Sequence, residues 1–139
     1  MTEESVRRLV DQIRADFPSM QALYHYGSTA TGGENASSDL DLGLLLPHAE
    51  AARHGTLALS DTRFALEAET GRSVDLVNLR RVSIVLQKEI IATGRLIHTA
   101  DRHAVEEYEM LVLSRYGKLN EERAEILKEF ASSKRAYPV

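Results

Sequence analysis

The chain has 139 residues, 43% of them hydrophobic and 27% charged, with a formal net charge of −4 and no cysteine. That length suits one domain around a single core, and the missing cysteines exclude disulfides, thiolate metal sites and a cysteine nucleophile. The acidic balance argues against a sequence-independent grip on nucleic acid, which needs many Lys and Arg contacts to phosphate, so no direct nucleic-acid binding is expected.

The first helix is expected to begin at a Thr2 cap, with Glu3 and Glu4 near the positive end of its dipole. Val6, Leu9, Val10, Ile13 and Phe17 form its inward stripe, and Pro18 stops it. Residues 20–27 predict a first strand that delivers Gly27-Ser28 to its carboxyl end. A turn-rich segment follows (Gly32, Gly33, Asn35, Ser37), with a short helical turn expected near Ser28. Ser38 to Leu46 is the second strand.

A helix is expected from about His54 to Gly71, or a separate one capped by Ser60 or Asp61, with Gly71 as a left-handed terminator. Ser73 to Leu79 is the third strand, with Val74 and Leu76 inward and Asp75 on the other face. Val82 to Thr93 reads as a helix, Arg95 to Thr99 as a fourth strand, and about 101–132 as C-terminal helices with a break at Gly117. Residues 133–139 read as a flexible tail. The fold class is therefore α/β (α+β): a mixed sheet of about four strands flanked by helices, as one domain over 1–132. No run approaches the roughly 18 apolar residues of a membrane helix. Met1-Thr2-Glu3-Glu4 also lacks the order of a signal peptide, so a cytoplasmic location is expected.

The chemistry lies in Gly27-Ser28, ten residues, then Asp39-Leu40-Asp41 at the start of an apolar run. Alternation puts Asp39 and Asp41 on one face of a strand, where two carboxylates repel unless a cation lies between them. Mg²⁺ favours one or two carboxylates together with substrate phosphates. Nucleotidyl transfer to a hydroxyl by two metal ions about 4 Å apart needs at least three carboxylates. Asp39 and Asp41 are the candidate bridging pair, and Asp75 the third ligand, poised to take the acceptor's proton. Gly27 lets backbone approach phosphate, and Ser28 adds a hydroxyl and N–H donors.

These residues, with the small size of the chain, resemble the nucleotidyltransferase signature of the DNA polymerase β-like superfamily and its minimal nucleotidyltransferase (MNT) branch. Leu111 to Tyr116 and Asn120 to Arg123 are also similar to that branch. The resemblance implies a palm-like core without an RNA-binding module, and a partner: MNT proteins pair with HEPN-domain ribonuclease toxins. It implies an antitoxin that transfers AMP from ATP to a toxin tyrosine, with Mg²⁺ as cofactor (two ions) and a hetero-oligomer as the assembly. Gly27 and Ser28 would bind phosphates; Asp39, Asp41 and Asp75 would bind metal and catalyse. One departure is Thr31, where the family often has a basic residue. Two rivals stand beside this reading: an antitoxin that blocks its toxin by binding alone, and a nucleotidyltransferase acting on an aminoglycoside-like small molecule or an RNA 3′ end. Arg80 and Arg81 are candidates for phosphate or partner contact, against a plain reading as solvated surface.

Overall fold

The computed structural model describes residues 2–27, 39–58 and 60–136. Ser28, Thr31 and the helical turn expected near Ser28 lie outside the described residues, as do 137–139 of the expected tail.

In order come α1 (Glu3–Asp16), β1 (Ala22–Tyr26), β2 (Leu40–Leu45), α2 (His48–His54) and α3 (Asp61–Thr70). Then follow β3 (Val74–Asn78), a 3₁₀ turn (Leu79–Arg81), α4 (Ile84–Thr93), β4 (Arg95–Thr99) and α5 (Arg102–Ala136). The strands form one mixed sheet in the order β3-β2-β1-β4. β1 runs antiparallel to both β2 and β4, whereas β2 and β3 are parallel. A parallel pair needs a crossover connection, and α2 with α3 supplies it.

Strand alternation sorts the core into two faces. Leu23, Leu40, Leu42, Leu44 and Leu76 pack with Leu9, Val10 and Ile13 of α1 and Leu66 of α3. Ala22, Tyr24, Leu45 and Val77 pack on the other side with Ile90 of α4 and Val105, Tyr108 and Val112 of α5. At the capped starts the chemistry is as expected: the Ser5 N–H donates to Thr2 Oγ1 at 3.1 Å, and Gly71 closes α3 with φ +68°.

Four expectations are corrected. A single helix over 54–71 does not form; the alternative of a separate helix does, as α3 capped by the Ser60 hydroxyl, and it follows an unforeseen α2 that Pro47 begins and Gly55 turns off with φ +60°. The predicted break at Gly117 is absent, and α5 runs unbroken from Arg102 to Ala136, four residues into the expected tail. A lone glycine costs a helix only about 1 kcal/mol, and strong helix formers such as Lys118, Glu121 and Arg123 follow it. The helix expected from Val82 begins at Ile84, capped by the Ser83 hydroxyl. Its buried face carries Gln87 and Ile90 while Val85 is exposed, because Gln87 donates to Val82 O and accepts from the Tyr108 hydroxyl.

Candidate active site

Register builds the site. Tyr26 lies opposite Asp41 across the β1–β2 ladder, and Asp41 lies opposite Asp75 across the β2–β3 ladder. Tyrosine and both carboxylates thus share one rung on one face, near the strand ends. Adjacent strands are about 4.8 Å apart, so the Tyr26 ring spans β2 to reach β3. Its hydroxyl donates to Asp75 Oδ2 at 2.9 Å.

Gly27 follows Tyr26 with φ +80°, a conformation L side chains rarely adopt, and a Cβ there would overlap Asp41 Oδ2. Only glycine leaves that carboxylate its place. Burial, then the charges of Asp75 and Asp39, push the Asp41 carboxyl above its ordinary value of 3.8. Burial, then the hydrogen bond and charge of Asp75, raise the Tyr26 phenol, which stays protonated and able to donate.

Asp39 precedes β2 and is exposed. It lines a cleft of about 310 Å³ together with Arg63 and Asp75. The structure brings Asp41 and Asp75 side by side, and Asp39 lies beside them, lining a cleft with Asp75 and adding its charge to Asp41. Among the described residues, no group of three or more His, Cys, Asp or Glu is placed to hold a metal ion. The donor set still fits a hard divalent cation: a pair of carboxylate strand neighbours, one of them half-buried and resisting ionisation, its place secured by the missing Cβ of Gly27.

The basic pair divides. Arg80 is a structural clamp: Nε donates to Leu46 O at 2.6 Å, Nη2 donates to Gln21 Oε1 at 3.0 Å, and the guanidinium sits 5.1 Å from the Tyr108 ring centroid. Arg81 is exposed and lines a second cleft, of about 330 Å³, which also touches Asp75. The sequence reading missed Tyr26 as a site residue, treating it only as part of an apolar strand. Its position at the last strand residue before Gly27 was the available signal.

Residues 10–103 match the family described as polymerase beta, nucleotidyltransferase. The chain is 25% identical over 129 residues to the protein adenylyltransferase MntA of Shewanella oneidensis, covering 93% of this chain and 89% of that protein. It shares its fold with a chain in the crystal structure of a toxin–antitoxin with AMP-PNP (TM-score 0.69, 24% identity, 94% of this chain and 99% of that one). It also shares it with a chain in the structure of a tri-AMPylated S. oneidensis HEPN toxin in complex with MNT antitoxin (TM-score 0.67, 21% identity, 94% and 99%). No helix among the described residues is long and apolar enough to cross a membrane. With the matched segment spanning more than half its length, the chain belongs to the polymerase β nucleotidyltransferase family.

Proposed function

We propose that this chain is an antitoxin that neutralises a HEPN-domain ribonuclease by transferring AMP from ATP to one of its tyrosines. The observation that carries the reading is the rung of Tyr26, Asp41 and Asp75 beside the open cradle at Gly27. Family membership supports nucleotidyl transfer, and the named activity of the S. oneidensis relative supports a protein acceptor.

Asp39, Asp41 and Asp75 would hold Mg²⁺, which when bound neutralises charge on the α-phosphate and the leaving pyrophosphate. Gly27 and Ser28 would receive the phosphates through backbone donors and a hydroxyl. Asp75 accepts the proton of the acceptor hydroxyl. That oxygen forms a bond to the α-phosphorus, the bond from the α-phosphorus to the bridging oxygen breaks, and pyrophosphate leaves. Tyr26 holds Oδ2 of Asp75 through its hydroxyl and leaves Oδ1 for the incoming proton. The near-contact between Gly27 and Asp41 draws the phosphate end and the carboxylate end of the site together.

The test is intact mass spectrometry of a co-encoded HEPN-domain protein after incubation with this chain, ATP and Mg²⁺. A gain in AMP units is expected, and loss of that gain in the Asp39→Ala/Asp41→Ala double variant. A stable complex without any mass gain would overturn the catalytic reading in favour of neutralisation by binding. Labelling of RNA or an aminoglycoside in place of protein would overturn the assigned acceptor.

A further inference from the structure

The sheet order fixes the side from which an acceptor approaches. Gly27 follows β1, Asp41 lies on β2 and Asp75 on β3, so the residues proposed to hold phosphate and the residue proposed to take a proton are separated by a strand. β3 is the edge of the sheet. With the phosphates proposed at Gly27, the side of Asp75 left for a hydroxyl is the one over β3.

Two clefts open there, and both include Ala58 and Asp75. Their cations differ. In the first, Arg63 is committed: Nε donates to Val74 O at 2.8 Å and Nη2 pairs with Glu67 Oε2 at 3.3 Å. In the second, Arg81 makes no hydrogen bond or ion pair among the described residues. That cleft, about 330 Å³, is walled by Leu57, Leu76 and Val82, large enough for one sizeable side chain. It also contains Asn78, which is 2% exposed. Both donors of the Asn78 amide are used, on Ala51 O and Gly55 O, while its Oδ1 has no partner. A buried carbonyl oxygen left unpaired is costly.

Resting on the function proposed above, we infer that the Asp75–Arg81 cleft is the acceptor-recognition site. It takes a protein segment whose reactive hydroxyl lies at Asp75, whose neighbouring side chain fills the apolar pocket, and whose acidic group pairs with Arg81. Charge complementarity and continuity with Asp75 favour this occupant. The triphosphate, proposed above to lie at Gly27, is separated from this cleft by β2. The site would give the enzyme its choice of tyrosine, separately from its hold on ATP.

Initial rates of AMP transfer to the co-encoded HEPN-domain protein test this, with acceptor and ATP varied separately. Arg81→Glu is expected to raise KM for the acceptor by about tenfold or more, because reversing one interfacial charge is worth at least about 1.4 kcal/mol. KM for ATP should stay within twofold. Ala58→Trp, at an exposed position that both clefts share, is expected to block the acceptor sterically and leave ATP binding intact. If wild type transfers AMP and both variants keep the wild-type KM for the acceptor, the inference falls while the proposed function stands. If wild type transfers no AMP to protein, the proposed function falls and takes this inference with it.

Discussion

The strand ends and the far half of α5 treat large apolar side chains in opposite ways. Around the rung, Leu40 and Leu42 on either side of Asp41 are 1% and 0% exposed. Alternation turns them into the core and turns Asp41 out of it. Along α5, Val105, Tyr108 and Val112 are buried, yet beyond Tyr116 the described side chains lie almost wholly on the surface, and Ile126, Leu127 and Phe130 are each more than 60% exposed. The first region uses tight packing to hold charged groups against their own repulsion. The second is anchored at one end, and its described apolar side chains turn to the surface. Packing and charge are therefore opposed at the rung, whereas along the outer helix large apolar side chains are left on the surface.

The sharpest break of this comparison comes from Asp41→Asn. AMP transfer is expected to fall by about 10³-fold, the scale of losing a principal electrostatic contact in a transition state. Stability without divalent cation should rise, because the substitution removes the carboxylate that burial and its neighbours disfavour. The sign follows from the raised folded value: ionising Asp41 costs the fold nothing below the ordinary value of 3.8, and the cost grows as pH rises through the raised one. Thermal melts in EDTA should show the variant's advantage appearing as pH rises from the acid side. A variant less stable than wild type at neutral pH would show that the rung is not under electrostatic tension.

A smaller effect is expected at Tyr26→Phe. The ring and its packing are kept and only the hydrogen bond to Asp75 is lost. Such bonds to charged groups are worth about 1.5–3 kcal/mol, so kcat should fall at least about tenfold, with KM for ATP unchanged. A parallel rise in KM would mean that Tyr26 touches nucleotide and does not simply position Asp75.

The smallest expected effect sharpens the contrast along α5. Val112→Ala should cost about 1–3 kcal/mol in urea unfolding. Leu127→Ala, although it deletes a larger side chain, sits at a position 67% exposed and should change stability by less than about 0.5 kcal/mol. Equal costs would mean that the outer half of α5 folds back onto the domain.

What could be read from the sequence and what could not divide on physical grounds. The outward facing of Asp41 and Asp75 was legible because period-two alternation is local: Leu40, Leu42, Val74 and Leu76 declare the inner face and leave these acids on the other. The four strands were legible for the same reason, and Arg95–Thr99 has the expected bounds. Tyr26 was not, because its bond to Asp75 joins residues 49 positions apart and depends on the register of two ladders. Arg80 and Arg81 look alike in sequence. They separate only when Leu46, Gln21 and Tyr108 close around the first. Gly117 misled because its effect depends on the residues flanking it.

The parallel pairing of β2 with β3 has a consequence for the timing of activity. A growing chain that has emerged through Gly71 already contains Gly27, Asp39 and Asp41, together with the antiparallel pair of the first two strands. It lacks the strand that brings Asp75 beside Asp41, and that strand ends at Asn78, past the middle of the chain. A product truncated or stalled before that strand would carry most of the recognisable motif without the rung.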